Sequence, residues 1–344
     1  MRRILIDSRV KGIAFRFSNE LFVKHHDRKF VHPLKRLRAL HYWLSNQADA
    51  NDYAVYVWNI ILHYHELLRL EPQDFFTYYI TYFGDVELTD MNHTFNIQPY
   101  SEAEKRDREV LLPEGRRQFN ELVQWAMRYK DLRSNDYIHY FKELNIQSCV
   151  YCNAQYAIVL EDVVENNQKK NIARFQLDHF WPESLYPFLC TTFFNLQPSC
   201  ANCNLHKSDN KGLFNLYTNK VEDVNPFWFE LGDGICIDGL TGYQLQNMHI
   251  RLCSKDAILL RNHQERFLID KIYEHHKREA QETIIRLATN DYYYRKQLGK
   301  SLSSLFPEGV ESPERFYWGH EMDEKNVHER PLNKLVQDIV NNYQ

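Results

Sequence analysis

The stretch SCANCNLHKSD, residues 199–209, places Cys200 and Cys203 at the C-x-x-C spacing of metal ligands. A second pair with the same spacing, Cys149 and Cys152, lies upstream in SCVYCN. Four thiolates satisfy a tetrahedral zinc ion without further ligands, and two such pairs pin the chain between them. The two pairs therefore predict one shared structural zinc (Zn²⁺) site. The alternatives are four unrelated buried thiols or a redox dithiol.

The remaining cysteines do not extend this pattern. Cys190, Cys236 and Cys253 stand alone, and we interpret them as small buried apolar residues. An odd total of seven cysteines, four of them in C-x-x-C pairs, favours a metal site in a reducing compartment over a disulfide framework. We therefore expect a cytoplasmic protein.

Composition limits the class of protein further. The chain has 344 residues, 44% of them hydrophobic, which is typical of a globular protein with a core. The net charge of −4 excludes a general basic coat, so any nucleic-acid surface must be a local patch. No apolar run is long enough to span a membrane, and the amino-terminal stretch lacks the apolar core and cleavage site of a signal peptide.

Apolar spacing divides the chain into three regions. Residues 1–147 have mostly helical periodicity. We expect this region to dock a partner or substrate. Residues 148–215 contain the cysteine pairs and two β-prone runs, AQYAIVLED (154–162) and NIARFQLDHF (171–180), separated by the polar VVENNQKK. Residues 216–344 return to helical periodicity from about residue 255, which predicts one or two long helices there, and RPLNKLVQDIVNNY predicts a short amphipathic helix.

Within the first region, AVYVWNIILHYHELLRL (54–70) predicts a helix whose apolar face carries Val55, Trp58, Leu62 and Leu68.

Two further helices are predicted over 115–132 and over 134–144, the second capped by Ser134. The uneven, polar stretch 88–115 predicts a loop.

Polar residues between and after the cysteine pairs have the chemistry of phosphodiester hydrolysis. Asp178 and His179 follow each other in LDHFWP, Asn195 lies in FFNLQPSC, and Asn204 directly follows Cys203. Cleavage requires a base that activates water and a divalent cation that stabilises developing charge. A neutral histidine suits the first role, and the oxygens of Asp178 and Asn204 suit magnesium.

The segments LDHFWP, FNLQPSC and CNLHKSDN between two zinc knuckles resemble the HNH endonucleases, whose fold is the ββα-metal core. The resemblance covers residues 149–209. It implies an α+β, mostly helical chain with a central zinc-bound ββα-metal core between helical regions. The cofactors that it implies are structural Zn²⁺ and catalytic Mg²⁺ or Mn²⁺.

The same resemblance assigns roles to individual residues. It makes His179 the general base, Asp178 a ligand of the catalytic metal, and Asn195 the residue that orients the base through its loop. Asn204 falls on the third motif position and is the second metal ligand, with His206 as the alternative. The family has histidine at this third position. Asparagine stands there in the HNH domain of CRISPR effector nucleases, whose N-x-x-K-S-D ending resembles NLHKSD in this chain.

Basic residues flank the motif. Arg174, Lys207 and Lys211 are candidates for phosphate contacts, which would position a nucleic acid without reading its sequence. The alternative for each is an ordinary surface charge.

The segments NIQSCVYCNAQY, VNPFW and RPLNKLVQDI resemble the larger HNH proteins of bacterial anti-phage systems such as Septu and certain retron systems. In some of these the nuclease works with an ATPase. The expected function is therefore a metal-dependent endonuclease, with DNA the favoured substrate and an ATPase or sensor protein of a defence operon as a partner. The alternatives are an RNA- or tRNA-cleaving HNH nuclease, and a zinc-knuckle module that binds nucleic acid or protein without cutting.

Overall fold

The computed structural model of the protein describes residues 1–23, 30–84, 90–132, 137–165, 168–232, 248–289, 292–301 and 313–343. Within these ranges the fold is mixed α/β, with most of its regular structure in helices. The described strands form five separate two-stranded pairs.

The described α-helices are α1 (Ser8–Glu20), α2 (Pro33–Ser45), α3 (Asn51–Leu67), α4 (Phe75–Tyr78), α5 (Glu102–Asp107), α6 (Phe119–Ala126), α7 (Tyr129–Asp131), α8 (Tyr137–Glu143), α9 (Ala201–Lys207), α10 (Ala257–Phe267), α11 (Ile269–Glu274), α12 (Lys277–Thr289), α13 (Tyr292–Ser301), α14 (Pro313–Trp318) and α15 (Asn333–Tyr343). The described strands are β1 (Ile4–Leu5), β2 (Thr94–Ile97), β3 (Gly115–Gln118), β4 (Ile158–Glu165), β5 (Gln168–Arg174), β6 (Gln176–His179), β7 (Leu196–Ser199), β8 (Tyr217–Thr218), β9 (Trp228–Leu231) and β10 (Ile250–Cys253).

Helix α3 confirms the helix predicted over 54–70, but of the predicted apolar face only Leu68 is buried. Val55, Trp58 and Leu62 are exposed. The buried face instead carries Ala54, Tyr56, Val57, Ile60, Tyr64 and Leu67. Apolar side chains occur on more than one side of this helix, so their spacing alone does not identify the side that packs against α2.

Helix α6 confirms part of the helix predicted over 115–132, whereas the first four residues of that range form strand β3. Its apolar face, with Phe119, Leu122, Val123 and Ala126, is buried. Helix α8 lies within the predicted 134–144 segment, whereas its predicted cap, Ser134, lies outside the described residues.

Three further predictions about secondary structure are wrong. The segment 88–115 contains helix α5 and strand β2, which pairs antiparallel with β3. The polar stretch 163–170 is mostly strand, because β4 and β5 pair with each other on both sides of residues 166–167. The carboxy-terminal periodicity yields α10 to α13 rather than one or two long helices. The left-handed backbone of Leu268, with φ of 50°, separates α10 from α11.

Strands β6 and β7 and helix α9 form a strand–loop–strand–helix unit. The strands pair antiparallel, with His179 opposite Leu196. Helix α9 begins at Ala201, directly after β7, and packs against β6. The loop of residues 180–195 therefore joins the paired ends of the two strands.

The hydrophobic core crosses all three predicted regions. One cluster of buried side chains extends from Met1 to Ile339. Strand β1 pairs with β8, and α15 packs against β9. The predicted domain boundaries stay predictions.

Among the helices that the structure describes, none is long and apolar enough to cross a membrane.

Candidate functional site

The two cysteine pairs meet at one place. The sulfur atoms of Cys149, Cys152, Cys200 and Cys203 all lie within 4.8 Å of one another, and all four residues are buried. Ligands of a tetrahedral zinc ion with Zn–S bonds of about 2.3 Å lie about 3.8 Å apart. The cluster can therefore hold a metal ion such as zinc, as the paired spacing predicted.

The first knuckle is held by the residue that follows it. Asn153 has a left-handed backbone, with φ of 51°, and its N–H donates to the carbonyl of Cys149 at 2.8 Å. Its side-chain amide donates to Ser148 Oγ at 2.7 Å and to the Val327 carbonyl at 3.1 Å. Its Oδ1 accepts the backbone N–H of Lys334 at 2.9 Å. Asn153 thus ties the knuckle to the first turn of α15.

The second knuckle forms the start of helix α9. The sulfur of Cys200 accepts the backbone N–H of Cys203 at 3.5 Å and caps the helix. Hydrogen bonds from the other three thiols lower the pKa of Cys200. This favours a thiolate, the form that binds metal.

Asp178 is buried and has a partner on each carboxylate oxygen. The hydroxyl of Tyr151 donates to one oxygen, and Lys207 Nζ lies 3.1 Å from the other. The same ammonium donates to the carbonyl of His179 at 2.6 Å. Burial raises the pKa of the Asp178 carboxyl, against the opposing effects of Lys207 and Tyr151.

Lys207 therefore differs from the surface residue expected for a phosphate contact. Its side chain is only 1% exposed. It lies on the face of α9 that packs against β6, because it is four residues after the buried Cys203.

His179 is also buried, with both ring nitrogens engaged. Nδ1 lies 2.7 Å from a carboxylate oxygen of Glu183, and Nε2 lies 2.9 Å from the carbonyl of Cys190. The ring packs on Tyr129, with centroids 4.9 Å apart. A carbonyl only accepts hydrogen bonds, so Nε2 donates to Cys190. In this arrangement neither nitrogen is free to take a proton from water.

Each partner of this ion pair shifts the pKa of the other. Burial alone would lower the pKa of His179, but Glu183 and the Cys190 carbonyl outweigh it, and the pKa is raised. Burial alone would raise the pKa of Glu183, but His179 lowers it to about 2. Glu183 was not predicted as a site residue. The sequence feature that could have indicated it is its position four residues after His179.

Asn195 braces the loop that follows His179. Its Oδ1 accepts the backbone N–H of Trp181 at 2.8 Å. Its Nδ2 donates to the carbonyls of Trp181 at 3.0 Å and Leu189 at 3.1 Å. One buried side chain thus joins both ends of the segment that carries Glu183.

The other predicted site residues lie further out. Asn204 is half-buried on α9, and His206 and Arg174 are exposed. Within the described residues, the side chains of Asn204 and His206 make no hydrogen bond with Asp178 or His179. Lys211 Nζ lies 3.4 Å from the ring centroid of Trp181.

Comparisons of the chain with family models, with curated proteins and with solved structures find no match.

Proposed function

We propose that the chain is a metal-dependent phosphodiester hydrolase of the HNH type, with DNA as its favoured substrate. The observation that carries this proposal is the β6–loop–β7–α9 unit. Asp178 and His179 end its first strand, Asn195 precedes its second strand, and α9 begins within the four-cysteine cluster. This order of strands, helix and polar residues agrees with the order that the resemblance implies.

The proposal gives each residue one role. His179 accepts a proton from the attacking water, and Asn195 fixes the loop that positions it. Asp178 and Asn204 supply oxygen ligands to Mg²⁺ or Mn²⁺, with His206 as the alternative to Asn204. The bound ion stabilises the charge that develops on the phosphate. The four cysteines hold zinc as a rigid support, since a four-thiolate shell has no open position.

The proposed reaction requires a rearrangement of the described contacts. A carboxylate oxygen of Asp178 must exchange the ammonium of Lys207 for the metal ion. A ring nitrogen of His179 must leave Glu183 or the Cys190 carbonyl to face water. Glu183 is the side chain in these contacts with the most exposure, at 32%, so its departure is the least costly first step.

A site whose proposed catalytic side chains are held by other protein groups fits an effector that a partner activates. We therefore propose a bacterial anti-phage defence role in the cytoplasm, with an ATPase or sensor protein as the partner that docks on the helical regions. The observation that supports it is the full engagement of Asp178 and His179 in the described conformation. Purification of the tagged full chain with the products of its neighbouring genes tests this: a stable complex that raises nuclease activity supports it, and a fully active isolated chain opposes it.

A second candidate function is a zinc-knuckle module that binds nucleic acid or protein without cutting. The pairing of Asp178 with Lys207 also favours this function, because a buried carboxylate paired with a buried ammonium occurs as a structural element as well. In that case Asp178, Lys207 and His179 would hold α9 against β6.

A cleavage assay separates the two functions. Purified zinc-loaded chain is incubated with supercoiled plasmid, and separately with RNA, in Mg²⁺ or Mn²⁺ or with EDTA. The variant is His179→Ala, and His275→Ala, which changes an exposed histidine, is the matched control. Metal-dependent cutting that His179→Ala loses and His275→Ala keeps supports the hydrolase. A folded wild type that cuts neither nucleic acid, alone or with the co-purified partner, supports the module.

A further inference from the structure

A cleft of about 460 Å³ opens between α2, β3 and α6. Three cationic side chains line it, Arg36, Arg117 and Lys130, and Trp125 forms part of its wall. Arg117 lies on strand β3, whose four residues are all exposed. A cluster of cations thus surrounds a concave surface on a chain that is acidic overall.

Two carboxylates, Glu121 and Asp131, also line the cleft, but neither forms an ion pair with these three cations. Asp131 forms an ion pair with Arg128 at 3.0 Å, and Glu121 accepts the backbone N–H of Gln118 at 3.2 Å. Among the residues that the structure describes, none of Arg36, Arg117 and Lys130 has a carboxylate within ion-pair distance.

Arg36 is the most buried of the three cations. Its guanidinium donates to the carbonyl of Trp125 at 3.0 Å and lies 4.8 Å from the centre of the Trp125 ring. Burial and the charge of Arg128 lower the pKa of Arg36 to about 10, against the opposing effect of Asp131. The three cations of the cleft would attract an anion and repel another cation.

The cleft shares a wall with the Asp178–His179 site. Gln124 lines the cleft, and its Nε2 donates to the carbonyl of Glu183 at 3.4 Å. Tyr129, the neighbour of Lys130, packs its ring on His179 and donates its hydroxyl to the Leu177 carbonyl at 3.2 Å. A polyanion in the cleft would therefore run alongside the loop that carries Glu183.

We infer that this cleft binds the sugar–phosphate backbone of the nucleic acid on which the proposed active site acts. The inference rests on the proposed function and adds the surface that holds the substrate beside the loop carrying Glu183. Arginine and lysine contacts with phosphates bind without regard to base sequence and hold the strand in position. A local cleft also explains how a chain with net charge −4 captures a polyanion.

Binding is measured with full-length, zinc-loaded protein carrying His179→Ala, so that cleavage does not interfere. The probes are a short fluorescein-labelled DNA duplex, a labelled RNA of equal length, and polyglutamate as a competitor. The test variant is Arg36→Gln/Arg117→Gln/Lys130→Gln. The matched control is Lys255→Gln/Arg261→Gln/Arg278→Gln, which removes the same charge from exposed positions elsewhere.

The expected result is a change in salt dependence as well as in affinity. Each phosphate contact with duplex DNA adds about 0.9 to the slope of log K against log salt, so the test variant should lose about 2.7. Over a fourfold rise in salt, the parent affinity should then fall about 40-fold more than that of the variant. The control should keep the parent slope. If the triple variant folds poorly, Arg117→Gln/Lys130→Gln, which spares the half-buried Arg36, replaces it. This double variant should lose less of the salt slope, in the same direction.

Several outcomes overturn the inference: equal slopes for the test and control variants, no binding of either nucleic acid by the parent, or competition by polyglutamate as strong as by unlabelled DNA. The DNA and RNA probes identify which backbone the cleft prefers. The proposed function is judged separately by the cleavage assay. Cutting that needs His179 while the cleft variant binds normally leaves the function standing without the inference. Binding that depends on the cleft in a protein that never cuts leaves the inference standing as a property of the binding module.

Discussion

The Nδ1 atom of His179 lies 2.7 Å from a carboxylate oxygen of Glu183, and its Nε2 atom donates to the Cys190 carbonyl on the other side. The imidazole is therefore fixed at both ends in a buried pocket. Any function of this histidine, catalytic or structural, depends on how firmly Glu183 holds it.

Replacement of Glu183 by alanine should destabilise the protein. It removes a charge-assisted hydrogen bond and leaves a buried ring nitrogen without its partner, which costs about 1.5–3 kcal/mol. Glu183→Gln should cost less, because an amide oxygen still accepts from Nδ1. Urea unfolding at neutral pH measures the free energy of unfolding, with Glu222→Ala as an exposed control. A Glu183→Ala protein as stable as that control would show that the His179–Glu183 contact does not form in solution.

The four-cysteine cluster predicts one zinc ion per chain. Cys149→Ser or Cys200→Ser should abolish zinc binding and lower the melting temperature strongly, because zinc binding at such sites contributes about 10–16 kcal/mol to folding. Metal analysis of the purified proteins checks the stoichiometry. Cys253→Ser changes a half-buried cysteine outside the cluster and should keep its zinc. Zinc content that Cys200→Ser leaves unchanged would contradict a four-cysteine site.

The cysteine cluster could be predicted because each half of it is local in sequence. A C-x-x-C pair fixes its own geometry, and two pairs at the same spacing define a tetrahedral site wherever the chain brings them together. Helix α6 was predictable for a similar reason, since all its apolar residues except Trp125 lie on one side. In both cases nearby residues determine the result.

The contacts of the polar residues could not be predicted in this way. The partner of Asp178 on one side is Tyr151, inside the first cysteine knuckle, and on the other side is Lys207, at the end of α9. These contacts depend on how β6, α9 and the knuckle pack together. A lysine in a polar segment has the pattern of a surface residue, and nothing in that pattern indicates the buried carboxylate opposite it.

Removal of the Lys207 ammonium should be costly. Lys207→Met leaves the buried Asp178 carboxylate without its ion-pair partner, and breaking a buried pair in this way costs about 3–5 kcal/mol. The double variant Lys207→Met/Asp178→Asn should recover most of that stability, because it removes the unpaired charge as well. Chemical denaturation of both proteins and the wild type measures the difference.

Lys211→Met serves as the control for this comparison. Lys211 is exposed and contacts the ring of Trp181, so its loss should cost about 0.5–1 kcal/mol. Equal costs for Lys207→Met and Lys211→Met would contradict the buried pairing of Lys207 with Asp178.

Two buried histidines should make the protein sensitive to acid. Burial lowers the pKa values of His263 and His328 to about 3, from an ordinary value of 6.5. The Nε2 of His263 donates to the Tyr151 carbonyl at 2.8 Å, and that of His328 donates to the Arg2 carbonyl at 2.8 Å. Among the described residues, neither Nδ1 atom has a partner, so a second proton would be buried without a hydrogen bond.

The sign of the effect follows from proton binding. Between pH 6.5 and about 3 the unfolded chain protonates these histidines and the folded chain does not, so stability falls as the pH is lowered. Each histidine contributes about 1.4 kcal/mol per pH unit within this range. His263→Gln, which keeps an N–H donor for the Tyr151 carbonyl, should therefore show a pH slope of the unfolding free energy that is shallower by about that amount. The control is His275→Gln at an exposed position, and zinc release at low pH affects both proteins alike. If the two variants have equal slopes, His263 is already protonated in the folded protein.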